Sequence, residues 1–245
     1  MATLLGWGLS DIGRLREANE DSCLVDPEMG LLLVCDGMGG HLGGATASRT
    51  AAHAFRDALR IRAAAGGLRG RGARSAVGQA AAAASAAVHD KAASTAALAG
   101  MGTTLTGLVL AGSIAHIAHV GDSRAYLLRG GRIRQLTEDH SLVQEQVRAG
   151  LLSETEARSS RLRNVITRSV GFSREVEVDL LSLPVRGGDT FLLSSDGLTG
   201  HVNDKTLEEV LDTTFYAKAV HVLVDMANAR GGEDNITVVV GHVPD

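Results

Sequence analysis

Leu31-Leu-Leu-Val-Cys-Asp-Gly-Met-Gly-Gly-His-Leu-Gly-Gly44 is the stretch whose reading decides the architecture. Its first five residues are apolar, a run short for a helix and ended abruptly, as in a buried strand. Asp36 follows at once, and a glycine-rich segment carries on to Gly44. A carboxylate at the end of a buried strand is costly unless something pairs with it. Gly37 lets the backbone approach whatever Asp36 holds and leaves its own carbonyl accessible. Taken alone, the stretch fits equally well a tight turn whose Asp caps a helix starting near Ala45. Recurrence separates the two readings. Phe191-Leu-Leu-Ser-Ser-Asp196-Gly197 is a second apolar run closed by Asp-Gly, and Ile117-Ala-His-Val-Gly-Asp122-Ser-Arg124 is a third run ending in Asp. Glu233-Asp234-Asn235 stands just before the run Ile236–Val240. Four acidic residues at strand ends, far apart in sequence, predict one cluster assembled by folding.

Outward from these stretches, composition sets bounds. A chain of 245 residues can bury a sizeable core as one domain, or at most two. With 44% hydrophobic and 21% charged residues it is globular rather than disordered. A net charge of −4 gives no sign of nucleic acid or membrane binding. Lys91, Lys205 and Lys218 are the only lysines, so the arginine excess reads first as compositional bias. Cys23 and Cys35 lie in strand-like runs and form no CxxC pair. No disulfide framework is expected, and a reducing cytoplasm is the default location. No apolar run approaches the ~20 residues that span a bilayer, and the N-terminus lacks a signal peptide's regions. A membrane anchor beyond residue 245 of a longer protein stays open.

The rest of the chain alternates blocks of strands with pairs of helices. Leu4–Ser10, Cys23–Val25 and Leu31–Cys35 read as an antiparallel meander, interrupted by the polar segment Arg14–Ser22. Ala45–Arg62 and the alanine-rich Ser75–Ala99 read as long helices, joined by a Gly- and Arg-rich loop over Ala63–Arg74. Gly102–Ala111, Ser113–Val120, Ala125–Arg129 and Arg132–Leu136 are strands, the last two around a Gly130-Gly131 turn. Asp139–Ala149 reads as a helix, and Leu151–Ser169 as a polar surface flap with a short helix of its own. Strands Val176–Leu183 and Thr190–Ser194, helices Asp204–Leu211 and Tyr216–Arg230, and a final strand Ile236–Val243 complete the chain. Short links between strands favour two antiparallel sheets with helices outside, not a wound βαβ sheet. His116 and His119, three apart in one strand, point to opposite faces and cannot share a metal.

Several chemistries fall away on motif grounds. The chain has no Gly-Lys dipeptide, hence no Walker loop, and HExxH, GxSxG and SxxK are all missing. Gly37-Met-Gly-Gly-His-Leu42 only approximates a dinucleotide fingerprint, and Asp36 would repel a pyrophosphate. What remains is a carboxylate cluster with a backbone carbonyl. All-oxygen donors select hard cations such as Mg²⁺ and Mn²⁺. Two such ions ~4 Å apart can activate a water and clamp a phosphoryl group. An Arg from the polar N-terminal segment could then grip the phosphate in bidentate fashion.

Six motifs now stand in order: Gly13-x-x-Arg16-x-x-Asn19-Glu20-Asp21, Asp36-Gly37-Met38-Gly39-Gly40-His41, Gly102-Thr103-Thr104, Gly121-Asp122-Ser123-Arg124, Ser195-Asp196-Gly197-Leu198 and Asp234-Asn235-Ile236-Thr237. Each alone is weak; together, in family order from about Ser10 to Val243, they are highly specific. The sequence resembles the bacterial metal-dependent Ser/Thr protein phosphatases of the PPM (type two C) family. The resemblance implies an α+β fold, a four-layer αββα sandwich of two antiparallel sheets flanked by paired helices, with the metals in a cleft at one edge. It implies one catalytic domain over residues 1–245, with a variable flap at about 137–171.

Carried over residue by residue, the resemblance makes Asp36 the bridge between two core Mn²⁺ or Mg²⁺ ions. Gly37 gives its carbonyl to one of them, and Asp196 and Asp234 bind the other. Asp122, with Asp196, forms a weaker third site. Glu20 and Asp21, with Asn235 beside them, hold metal-bound waters, and Arg16 holds the substrate phosphate. Arg161 and Arg163 on the flap meet the substrate. Where animal members carry a His two residues after the bridging Asp, this chain has Met38. That leaves His41 or a metal-bound water to protonate the leaving group.

The activity implied is hydrolysis of phosphoserine and phosphothreonine on proteins by direct attack of metal-bound hydroxide, reversing Ser/Thr kinase signalling. The partners implied are phosphorylated proteins, their kinases included, and the expected state is a cytoplasmic monomer. A silent module that only reads phosphoproteins would have lost a carboxylate, and none is missing here. Side activity on small phosphoesters stays open.

Overall fold

The structure, a computed structural model, describes residues 3–39, 42–68 and 72–245. β3 (Leu31–Cys35) is fully buried, and its side chains alternate between two cores. Leu31, Leu33 and Cys35 face the helices, while Leu32 and Val34 face a second sheet. That alternation sets the layers. β3 lies within one five-stranded sheet, ordered β10 (Asp179–Pro184), β7 (Ile114–Val120), β6 (Leu105–Ala111), β3, β2 (Ser22–Asp26). The other sheet is ordered β1 (Leu5–Asp11), β12 (Ile236–His242), β11 (Thr190–Ser194), β8 (Arg124–Arg129), β9 (Arg132–Gln135). The pairings in both sheets are antiparallel.

The outer layers are helical. α1 (Gly43–Ala64) buries Ala47, Ala51, Phe55 and Leu59, one residue every turn along one face. α2 (Gly72–Ser94) buries mostly alanine, and the two helices lie side by side over the β3-containing sheet. α5 (Asp204–Thr213) and α6 (Tyr216–Ala229) cover the other sheet with Leu207, Leu211, Val220, Leu223 and Val224. A third core, with Ile117, Phe191 and Val239, fills the space between the sheets. The expected four-layer αββα sandwich is therefore present. Phe55 anchors its core at no exposure, its ring over Gly107, where a Cβ would lie 3.1 Å from Cζ. Truncating so large a buried ring costs about 3–5 kcal/mol.

Local readings are corrected in several places. β1 does not join a meander with β2; it pairs with β12, Leu9 opposite Val238, while β2 and β3 form a hairpin in the other sheet. The long strand expected over Gly102–Ala111 divides into β5 (Gly102–Thr103), which pairs with β4 (Gly37–Met38), and β6. Thr104 marks the break because its hydroxyl and N–H both turn to the backbone of Asp36. The loop expected over Ala63–Arg74 is shorter, since α1 runs to Ala64 and α2 starts at Gly72; residues 69–71 lie outside the described residues. α2 stops at Ser94, before the 3₁₀ turn Ala96–Leu98. In the flap, α3 is Leu142–Arg148, starting three residues later than expected, with Ser141 accepting the Gln144 N–H as its cap. α4 (Glu154–Ser159) begins with a capping box between Ser153 and Glu156.

Candidate active site

The acidic strand ends meet at one edge of the two sheets. Asp36 follows β3 and Asp122 follows β7, both in one sheet; Asp196 follows β11 and Asp234 precedes β12, both in the other. All four line a single cleft of about 670 Å³, together with Arg16, Glu20, Gly37 and Asn235. Folding thus brings together eight of the residues expected at the site.

The scaffold around Asp36 explains the Gly102-Thr103-Thr104 motif. Asp36 N–H donates to Thr104 Oγ1 at 2.9 Å, and its carbonyl accepts from Thr103 Oγ1 and Thr104 N–H, each at 2.8 Å. Thr104 Oγ1 also bonds Ser123 Oγ at 2.7 Å, beside Asp122. The Gly-Thr-Thr motif is therefore a clamp on the backbone of one acidic residue, joined to the turn that carries another.

Close approach requires glycine at two positions. A Cβ on Gly37 would lie 2.2 Å from the Gly44 carbonyl oxygen, and one on Gly44 would lie 2.7 Å from Glu20 Oε1.

Charge is concentrated here beyond what hydrogen bonds offset. Glu20 Oε1, Asp21 Oδ1, Asp122 Oδ1 and Asp196 Oδ1 are buried without a hydrogen-bond partner among the described residues. Burial, then the charges of Asp21, Asp196, Asp122 and Asp234, push the Asp36 carboxyl well above the usual carboxylate range. Asp122 is raised by burial and then by Asp196, and Asp196 by burial and then by Asp234. Asp21 is pushed up to about 7 by burial first, although Thr237 and Ser195 donate to its Oδ2 at 2.6 and 2.8 Å. Glu20, Asp122 and Asp196 line one polar cleft, and their unpartnered carboxylate oxygens are of the kind a hard divalent cation takes.

Among the described residues, no three acidic, His or Cys side chains close on a single point as a ligand trio. Asp234 has its Oδ2 turned to Arg16, 2.6 Å from Nη2. Burial draws the Arg16 pKa down, but Asp234, Glu20 and Asp36 outweigh it, and the net shift is upward. Arg16 is nonetheless 47% exposed at the mouth of the cleft.

The structure places three further expected residues as follows. The Asn235 side chain bonds to backbone at both ends: Oδ1 accepts from Glu20 N–H at 2.8 Å, and Nδ2 donates to Ile12 and Ala18 carbonyls at 3.0 Å. It tethers the Arg16-bearing loop through both ends of its amide. Arg161 and Arg163 do not line the cleft. Arg163 Nη2 instead stands 3.9 Å from Glu233 Oε2, next to Asp234, while Arg161 is exposed. The flap residues that do line it, Asn164 and Ile166, were missed, as was Leu15. Their sequence context is polar and aperiodic, and only the fold brings it back over the cleft. His41 and Gly40 lie outside the described residues.

Two antiparallel sheets between helix pairs, with acidic strand ends gathered at one edge beside an arginine, define an αββα sandwich suited to divalent-cation phosphate chemistry. The profile of the protein phosphatase 2C family matches residues 14–237. The serine/threonine phosphatase stp of Listeria innocua is 40% identical over 236 residues, covering 94% of this chain and 92% of that one. The serine/threonine protein phosphatase PstP of Mycobacterium tuberculosis is 39% identical over 236 residues, covering 96% of this chain but 44% of that longer protein. A crystal structure of the PstP catalytic domain in complex with two manganese ions superposes with a TM-score of 0.89 at 36% identity, covering 100% of both chains. The chain belongs to the protein phosphatase 2C family.

Proposed function

We propose that the chain is a Mn²⁺- or Mg²⁺-dependent phosphatase that hydrolyses phosphoserine and phosphothreonine on proteins. The observation that carries this reading is the acidic cleft itself: four strand-end carboxylates, unpartnered buried oxygens, and Arg16 at the mouth. Asp36, Asp196, Asp234 and the Gly37 carbonyl would hold two core ions, and Asp122 with Asp196 a weaker third. Such ions, when bound, supply Lewis acidity and lower the pKa of a coordinated water.

The chain's own residues do the rest. Arg16 exchanges its contact with Asp234 for the phosphoryl oxygens, a bidentate match that lysine could not make. Thr103 and Thr104 fix the direction in which Asp36 projects. Ser195 and Thr237 orient Asp21 by donating to it, and Glu20 lies against Gly44. Leu15 and Ile166 give the cleft apolar walls for a peptide rather than a small ester. In this reading the chain is one catalytic domain with residues 137–171 as flap. Its partners are phosphorylated proteins, including the kinases it opposes, and it works as a monomer in the cytoplasm. Among the described residues no helix is long and apolar enough to cross a membrane.

The test is phosphate release from one phosphothreonine peptide with and without Mn²⁺, alongside Asp36→Asn and Asp196→Asn. Metal-dependent release that falls to background in both variants is expected. Both variants should remain folded, and without added metal should be more stable than the parent, because mutual repulsion is relieved. Near-parental turnover in either variant at saturating Mn²⁺ would overturn the assignment.

A further inference from the structure

The base of the flap is fastened to the turn that carries Asp122 through one imidazole. His140 N–H donates to the Gly121 carbonyl at 2.7 Å, and Gly121 N–H donates back to His140 Nδ1 at 3.0 Å. Both backbone polar groups of Gly121 are thus held by one residue. Gly121 has φ +108°, and a Cβ there would lie 2.6 Å from Thr104 Cγ2, so no other residue fits without strain. With Nδ1 accepting, the ring proton sits on Nε2, which faces Asp179 Oδ2 at 3.3 Å. Arg168, from the returning end of the flap, bonds Asp179 Oδ1 at 2.9 Å and lies 3.1 Å from the same Nε2. Thr167 N–H donates to the His140 carbonyl at 2.9 Å. The ring is backed by buried His119, centroids 4.8 Å apart. Both ends of the flap therefore converge on His140, and His140 grips the residue before Asp122, whose Oδ1 is buried without a partner among the described residues.

We propose that His140 is a positioning residue that aims Asp122 into the cleft and couples the seating of the flap to the metal site at Asp122. The proposal rests on the reading of Asp122 as a ligand of the weakest ion. Two consequences are separable. The Nδ1 half of the ring sets the Gly121–Asp122 turn; the Nε2 half, through Asp179 and Arg168, seats the flap.

The experiment compares His140→Phe, His140→Asn, Arg168→Gln and Asp122→Ala with the parent. Mn²⁺ titration gives the stoichiometry and affinity of each ion class. Amide hydrogen exchange reports on Gly121 and on residues 141–166, and phosphopeptide kcat and KM are measured at several Mn²⁺ concentrations. His140→Phe keeps the ring but loses the acceptor. It should speed Gly121 amide exchange and weaken the weakest ion roughly fivefold, the size of one lost neutral hydrogen bond, with the tighter ions unchanged. Raised Mn²⁺ should restore its kcat. His140→Asn places an acceptor near the Nδ1 position and should keep Gly121 protected while the flap exchanges faster and KM rises. Arg168→Gln should loosen the flap and weaken the last ion by less than His140→Phe, and it carries the test if His140→Phe fails to fold.

Parental Gly121 protection and parental weak-ion affinity in His140→Phe, or unchanged flap exchange and ion affinity in Arg168→Gln, would overturn the proposal. Failure of the underlying reading looks different: Asp122→Ala would retain every ion at parental affinity while His140→Phe still exposed the Gly121 amide.

Discussion

Replacing Thr104 with Val tests whether Asp36 is held by the hydroxyl or merely by packing. Thr104 has no exposure, and Val matches its shape. The substitution leaves the Asp36 N–H without its acceptor at 2.9 Å and deprives Ser123 Oγ of a partner at 2.7 Å. A buried donor left unpaired costs about 1–3 kcal/mol. Ser123 Oγ can rotate toward another acceptor, so most of the loss falls on Asp36, about 2 kcal/mol. For a chain of this size, that lowers the midpoint of thermal unfolding by about 4–8 °C. Thr104→Ser is the control: it keeps both bonds and loses only the methyl that lies against Gly121. Urea unfolding gives the stability difference, and phosphopeptide turnover at limiting Mn²⁺ reads the aim of Asp36. The Val variant should be the less stable and should need more Mn²⁺ for half-maximal activity. If Ser is as damaging as Val, or if Val costs less than about 0.5 kcal/mol, the clamp is packing, and the hydrogen-bond account of Asp36 fails.

Arg16→Ala should mainly raise KM for phosphopeptide, by roughly 1–3 kcal/mol in binding, the range for charge-assisted hydrogen bonds; unchanged KM with lowered stability would make Arg16 a structural partner of Asp234. Buried His119 has its pKa pulled down to about 4, by burial first and then by His140. The unfolded chain therefore takes up a proton that the fold refuses, and the His119 contribution is fully present above pH 6.5 and lost as pH falls toward 4. Between pH 7 and 5 this amounts to about 2 kcal/mol. Urea unfolding of His119→Gln should lack that decline, and parallel pH profiles for variant and parent would refute it. Gly37→Ala should abolish activity even with Mn²⁺ in excess, because the added methyl meets two backbone carbonyl oxygens at 2.2 and 2.5 Å; a fully active variant would show that the Gly37 backbone can shift freely.

What the sequence made legible is what local physics dictates. β3, β11 and β12 are runs of buried side chains, and each stands next to an acid, so the cluster could be inferred before its geometry was known. The partner of β1 was not legible. Gly6 and Gly8 offer no side chains to pattern; a Cβ on Gly6 would lie 2.6 Å from Val25 Cγ1, across the sandwich. Sequence proximity then suggested the wrong neighbour. The start of α3 was misread for another reason. Asp139 and His140 suit the first turn of a helix, but Asp139 takes three bonds from Arg124, and His140 is fastened to Gly121. Asn235 and the Gly-Thr-Thr clamp were visible as motifs, yet their roles depend on backbone groups more than sixty residues away.

The pairing of β1 with β12 also fixes when the cleft can exist. Leu5 stands opposite His242, and β12 lies between β1 and β11. Closing so long a loop adds little to the equilibrium cost, but it delays the event on the folding pathway. During synthesis, the strand that carries Asp11 toward the site waits for residues made more than two hundred positions later. Asp234, the neighbour of Arg16, stands just before β12 and is made equally late relative to Arg16. The nascent chain can pack α1 and α2 on the earlier sheet, yet it cannot assemble the acidic edge. A polypeptide stalled before Ile236 therefore lacks the strand between β1 and β11, and its acidic edge stays unassembled.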